Sequence, residues 1–154
     1  MHPTRLMAVI GLMLLAGCGG TSGPSAQSNP SPTPNPGATY LRIVKPTNDT
    51  IDALGAAVHA QPIDYPKVRT AAAAAEKAYQ QFNADLVELE TEAPSAKTDI
   101  EALRKTVAAE VSLLGAIVAS SSDINTGVNV LAFSNYSDGG AAALVRSDLK
   151  LPAP

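Results

Sequence analysis

The chain has 154 residues and a net charge of −3, from 11 basic and 14 acidic residues. This mild acidity argues against a nucleic-acid partner, which would require a basic face. Aromatic residues make up only 4 % of the chain and Trp is absent, which argues against a surface that stacks sugars.

The first residues have the three-part layout of a secretory signal. One positive charge, Arg5, precedes a continuous apolar run over residues 6–15, and the small residues Ala16 and Gly17 follow it. The run is too short for a permanent bilayer span, which needs about 20 residues. The sequence therefore predicts a signal peptide over residues 1–17.

The only cysteine stands directly after this run. Leu15-Ala16-Gly17-Cys18 resembles the lipobox of bacterial lipoproteins. The resemblance implies that the Cys18 thiol receives a diacylglyceryl group and that the chain is cut just before Cys18. Two or more acyl chains hold a protein stably on a bilayer. We therefore expect lipidation at Cys18 and attachment to the extracytoplasmic face of the cell membrane. The alternative is an ordinary secretory signal with an accidental cysteine.

Residues 19–38 are rich in Pro, Ser and Gly and carry neither a charge nor a bulky apolar side chain. Such a segment cannot bury enough surface to offset its ordering entropy, and its alternating prolines favour the polyproline II conformation. The lipidated cysteine and this stretch, residues 18–38, are thus predicted to be a disordered linker before a domain over residues 39–154.

From Thr39 the apolar residues follow a helical period. The first stripe is Tyr40, Val44, Thr47, Ile51, Leu54 and Val58. Pro46 either kinks this helix or splits it into residues 39–45 and 47–58.

Two longer helices follow. Asp64 can cap a helix over residues 65–91, whose stripe is Val68, Ala72, Ala75, Tyr79, Phe82, Leu86 and Leu89. After a break at Ala93-Pro94-Ser95, a third helix covers residues 96–120, with the stripe Ala96, Ile100, Leu103, Val107, Val111, Leu114 and Val118. The short break predicts an antiparallel pair in which Phe82 faces the region of Val107.

A fourth, poorer helix is predicted over residues 123–148, with a break near residues 137–139 as the alternative. Its expected apolar contacts are Ile124, Val128, Leu131, Phe133, Tyr136, Leu144, Val145 and Leu149. The fold class is therefore all-α, a small up-down bundle of three good helices and one irregular C-terminal helix.

No group of residues predicts catalysis, a cofactor or a metal ion. His59 is read as a surface histidine at a helix end, and the standard phosphate loops and nucleophile motifs are absent. Six acidic residues should meet at one end of the bundle, where they form either a cation or basic-partner patch or, as we favour, a solvated rim. They are Asp85, Glu88, Glu90, Glu92, Asp99 and Glu101.

Two functions remain. The first is a structural or protein-interaction module with an envelope protein as partner, and we expect no enzymatic activity. The alternative is a binding protein for a small apolar or lipid-like ligand, in a pocket lined by Tyr79, Phe82, Phe133 and Tyr136. A closed apolar pocket of several hundred Å³ would favour the second. In composition the alanine-rich domain is similar to uncharacterised lipoproteins of high-GC Gram-positive bacteria, a resemblance that assigns no site.

Overall fold

The computed structural model describes residues 35–152. The predicted signal peptide, Cys18 and most of the linker lie outside them. All regular secondary structure in this range is helical, which confirms the all-α class for this part of the chain. The helices are α1 (Pro36–His59), α2 (Tyr65–Glu92), α3 (Lys97–Val118), α4 (Asp123–Ser134) and α5 (Ala141–Asp148), with a 3₁₀ turn at Pro94–Ala96 before α3.

Helix α1 is continuous through Pro46, so the predicted split does not occur. It begins three residues before Thr39, because the Asn35 side chain accepts a hydrogen bond from the Ala38 N–H at 3.2 Å and Pro36 suits the first turn. Pro46 is exposed, so the backbone hydrogen bond that it removes is lost on the solvent side. Residues 36–38 therefore belong to the bundle and not to the linker.

Helix α2 matches its predicted span to within one residue, and the Asp64 side chain accepts from the Lys67 N–H at 3.1 Å as its cap. Every buried residue of α2 lies on the predicted stripe. Helix α3 follows its stripe as far as Leu114, but Ile117 is buried and Val118 is exposed. The predicted phase of α3 is thus wrong only in its last turn.

Helices α1, α2 and α3 run up, down and up. Tyr40 at the start of α1 meets Phe82 in the second half of α2, with ring centroids 6.2 Å apart. Leu54 and Val68, which lie on either side of the α1–α2 loop, share one core. Phe82 and Val107 line the same cavity, which confirms the expected register of α2 and α3.

The bundle has two apolar cores along its length. The turn-end core lies beside the 3₁₀ turn, and Ala141 and Val145 of α5 complete it. The α4-end core lies beside the α1–α2 loop, where Val130 and Phe133 of α4 pack against it. The buried members of the α4-end core are Leu54, Val68, Ala72, Ala75, Leu114 and Ile117.

The predicted fourth helix is two helices, separated by residues 135–140. Gly139 and Gly140 have φ angles of +60° and +80°, in the left-handed region that glycine adopts without a steric cost. Asp138 Oδ1 accepts a hydrogen bond from the Gly140 N–H at 2.9 Å and fixes this turn. The described chain therefore has five helices where four were predicted.

Candidate functional site

Helix α4 packs on the bundle through polar side chains. Thr126 is fully buried and its hydroxyl accepts a hydrogen bond from Arg69 Nη1 at 2.8 Å. The same hydroxyl donates to the Ser122 carbonyl at 2.9 Å. Arg69 also pairs with Asp123, at 3.3 Å. One guanidinium on α2 therefore holds the first turn of α4.

A second polar contact joins α4 to the end of α3. Asn129 Nδ2 donates to the Ala116 carbonyl and to Ser120 Oγ, both at 2.9 Å. Only Val130 and Phe133 of α4 add apolar contacts, and both are partly buried. The inward face of α4 is thus a mixture of hydrogen-bonding groups and two apolar side chains.

The outward face of α4 carries its large aliphatic residues. Ile124, Val128 and Leu131 are 79 %, 61 % and 60 % exposed, and their spacing of four and three places them on one stripe. We call these three residues the α4 stripe. The prediction that they make core contacts is wrong, as it is for Leu144 on α5. The helical period located the helices, but polar contacts decide which face of α4 meets the bundle.

An apolar groove lies beside the stripe, between α4 and the end of α1. It consists of two adjoining depressions of about 290 and 200 Å³, which share Val58, Val130 and Ser134. Leu131 lines the larger depression and also belongs to the α4 stripe. We call the groove and the stripe together the α4 surface. The other lining residues include Ile51, Leu54, Ile63, Tyr65, Val68 and Phe133.

The predicted pocket of four aromatic residues does not form. Phe133 lines the groove, whereas Tyr79 and Phe82 line a separate cavity of about 140 Å³. Tyr136 lines none of these depressions. A sign of the groove in the sequence is Gly127, which leaves the wall of α4 without a side chain where the larger depression lies.

Two of the six predicted acidic residues form ion pairs. Glu90 pairs with Arg104 at 2.9 Å, and Glu101 pairs with Lys97 at 3.7 Å. Within residues 35–152 no group of three or more potential metal-ligating side chains comes together. His59 is exposed as the last residue of α1 and lies at the edge of the groove. The remaining acidic residues of the set are Asp85, Glu88, Glu92 and Asp99.

The chain matches no protein-family model, no curated protein sequence and no solved structure. Among the described helices, none combines the length and the hydropathy needed to cross a bilayer. Its own residues and their geometry are therefore the basis for assigning a role to the α4 surface.

Proposed function

We propose that the chain is an exported, lipid-anchored protein whose α4 surface binds an apolar helical segment of another envelope protein. In this proposal residues 1–17 are a signal peptide, and Cys18 carries the acyl chains that insert into the bilayer. Residues 18–35 then tether an up-down bundle on the extracytoplasmic face of the membrane. The bundle acts as a structural or protein-interaction module and not as an enzyme.

The orientation of α4 is the observation that carries this proposal. Three large aliphatic side chains face water while a threonine and an asparagine face the bundle. Burying apolar surface is worth about 25 cal/mol per Å², so a partner that covers this face gains free energy that folding leaves unused. Contiguous exposed apolar surface of this kind marks interaction sites.

The shape of the groove favours a protein segment over an enclosed small ligand. Its two depressions, of about 290 and 200 Å³, are open to solvent. Small-molecule pockets are typically about 300–1,000 Å³ and enclose most of the ligand surface. A helix laid along the groove would contact α1 on one side and the α4 stripe on the other. Anchor residues at helical spacing are the usual means of such recognition.

A second copy of the chain fits this surface less well. Helix α4 has 12 residues, so it is only about 18 Å long at 1.5 Å per residue. Two stripes facing each other would bury far less than the roughly 800 Å² per partner of a standard interface.

The anchoring step is tested by Cys18→Ala. We expect the variant to leave the membrane fraction and to keep its unprocessed length, because both processing and acylation require the thiol. Membranes and soluble fractions of cells expressing the full chain are compared by immunoblot. A mature-sized variant that stays in the membrane would contradict the lipobox interpretation.

The docking step is tested by photo-crosslinking in intact cells. A photoreactive amino acid replaces Leu131 in the full chain, and the same residue at Glu88, exposed on α2, is the matched control. We expect an adduct from position 131 alone, in which the crosslinked peptide of one envelope protein has an amphipathic helical sequence. A second substitution, Ile124→Gln, should weaken that adduct.

Other products would overturn the docking proposal. An adduct between two copies of the chain would show that the α4 surface is a dimer interface. Adducts that are equal at positions 131 and 88 would show non-specific proximity. Lipid adducts alone would favour the second candidate function, a binding protein for an apolar or lipid-like ligand, for which the apolar lining of the groove is the supporting observation.

A further inference from the structure

A second cavity lies on the bundle away from the α4 surface, and the proposed function does not use it. It measures about 140 Å³ and lies where α1, α2, α3, α5 and the loop before α5 meet. We call it the Glu110 cavity. Its walls are aromatic and aliphatic, with Tyr40, Phe82 and Val107 among them. Its polar members are Thr47, Asn48, Tyr79, Glu110 and Asp138.

One buried polar atom in this cavity lacks a partner. Thr47 is only 3 % exposed, lines the cavity, and its Oγ1 forms no hydrogen bond within the described chain. Buried hydroxyl groups are nearly always hydrogen-bonded, and leaving one unpaired costs free energy. The orphaned oxygen of Thr47 therefore indicates that the cavity accommodates a group able to hydrogen-bond there.

Two carboxylates of the cavity also lack a counter-ion among residues 35–152. Glu110 forms neither a hydrogen bond nor an ion pair there, and Asp138 only accepts from the backbone N–H of Gly140. Arg146, whose charge acts on Tyr40, donates to the Pro152 carbonyl at 2.6 Å and forms no ion pair with either carboxylate. Burial, and then the nearby charge of Asp138, raises the pKa of Glu110 to about 7. The cavity is thus lined by two carboxylates that form no ion pair, and a bound cation would stabilise their charged forms.

The chemistry of the walls selects the kind of cation. The rings of Tyr40, Tyr79 and Phe82 line the cavity, and aromatic rings attract cations; Val44 and Leu103 add an apolar lining for an alkyl group. Calcium takes six to eight oxygen ligands and usually several carboxylates, whereas this cavity offers two carboxylates. An organic cation therefore fits better than a divalent metal ion.

Size and hydrogen bonding narrow the choice further. A cavity of about 140 Å³ has room for several water molecules or for a small organic group. Thr47 Oγ1 can accept a hydrogen bond from an ammonium N–H, which a quaternary ammonium lacks. We propose that the Glu110 cavity binds a primary ammonium group on a short alkyl chain, with Glu110 and Asp138 as counter-ions and Thr47 as a hydrogen-bond acceptor.

To test this proposal, ethylammonium is titrated into the full chain in detergent solution at pH 8 and constant ionic strength. ¹H–¹⁵N NMR spectra monitor the binding. Tetramethylammonium, which has the same charge and no N–H group, is the matched ligand. We expect ethylammonium to shift the amide signals of Thr47, Glu110 and Asp138 and to bind about tenfold more tightly than tetramethylammonium. Absence of these shifts, or equal affinity for the two cations, overturns the proposal.

Variants separate recognition from general electrostatics. Glu110→Gln and Thr47→Val should each weaken ethylammonium binding by about tenfold or more. Glu101→Gln, which removes an exposed charge of α3 outside the cavity, should leave it unchanged. Binding that is insensitive to Glu110→Gln, or equally sensitive to Glu101→Gln, contradicts the assignment. Because burial already disfavours the charge of Glu110, Glu110→Gln is not expected to unfold the chain.

The natural source of the ammonium group is distinguished in the same titration. If vesicles containing an ethanolamine phospholipid displace ethylammonium, the ligand is a lipid head group. If free ethanolamine displaces it and the vesicles do not, the ligand is a free amine. Both results support the ammonium site. Neither depends on the α4 surface, so the docking proposal and this one can fail separately.

Discussion

Helices α2 and α4 both carry apolar residues at helical spacing. The apolar stripe of α2 faces the core, whereas the stripe of α4 faces solvent. Every buried residue of α2 lies on its predicted apolar stripe. Helix α4 buries Thr126 fully and leaves Ile124, Val128 and Leu131 mostly exposed. Helix α2 lies between α1 and α3, so its apolar side chains have apolar neighbours on both sides. Helix α4 instead meets Arg69 and the last carbonyls of α3, so hydrogen bonds determine its inward face. An apolar period thus identifies a helix but does not by itself say which way the helix faces.

The largest effect should come from the centre of the α2 stripe. Phe82 is buried and packs edge-on against Tyr40. Phe82→Ala should lower the free energy of unfolding by about 3–5 kcal/mol, since it removes buried apolar surface and leaves a cavity. Glu88→Ala, at an exposed position of the same helix, should change it by no more than about 0.5 kcal/mol. Urea midpoints that differ by less than about 1 kcal/mol would show that the phase of α2 is wrong.

The next effect concerns the polar face of α4. Thr126→Val keeps the shape of the side chain but removes the acceptor for Arg69 and the donor to Ser122. Because Thr126 is buried, we expect the free energy of unfolding to fall by about 1–3 kcal/mol. Thr70→Val is the control, since the Thr70 hydroxyl also donates to a carbonyl of the preceding turn but is exposed. Equal losses in the two variants would mean that the inward polar contact does not hold α4.

A smaller, pH-dependent effect is expected at Glu110. Its pKa is raised from 4.5 to about 7 in the folded chain, so its contribution to stability is full below about pH 4.5 and is lost as the pH rises through about 7. Glu110→Gln removes this loss. The variant should therefore gain about 1 kcal/mol over the wild type between about pH 4.5 and pH 8, a value reduced because the half-exposed carboxyl is partly solvated. Urea unfolding across this range measures the difference, and a difference that does not change with pH would contradict the burial of this carboxyl.

The smallest effect is expected on the α4 stripe. Leu131→Ala should change the free energy of unfolding by about 0.5 kcal/mol or less, because this leucine is already mostly exposed. The same substitution at Leu86, which is fully buried on α2, should cost about 2–5 kcal/mol. The pair of leucines thus compares the two helices with one chemical change. A cost at Leu131 that approaches the cost at Leu86 would mean that the α4 stripe faces the bundle and not solvent.

The elements that sequence reasoning placed well are those with long, uninterrupted stripes. Helix α2 and most of α3 are of this kind, because six or seven turns of repeated apolar residues leave only one face that can be buried. The sequence leaves the effect of Pro46 open, since it does not show that this proline lies on the solvent side of α1. The separation of α4 from α5 agrees with the alternative of a break near residues 137–139, and the left-handed conformation of Gly139 and Gly140 explains it.

The candidate site was much less predictable. The lipobox interpretation rests on four adjacent residues and needs no tertiary structure. The groove forms between Val58 and Val130, which are far apart in the chain, and depends on the direction in which α4 faces. That direction follows from the contact of Arg69 with Thr126, a pair separated by 57 positions. Nothing in the local pattern of either residue indicates that they meet.

The most direct test of the account is the solvent accessibility of α4, measured by thiol labelling of the full chain. Cys18→Ser removes the only natural cysteine, and a single cysteine is then introduced at Val128 or at Phe133. We expect the thiol at position 128 to react faster than the thiol at 133, because Val128 is mostly exposed whereas Phe133 is partly buried against the α4-end core. Faster labelling at 133 than at 128 would contradict the outward stripe, and with it the proposed docking surface.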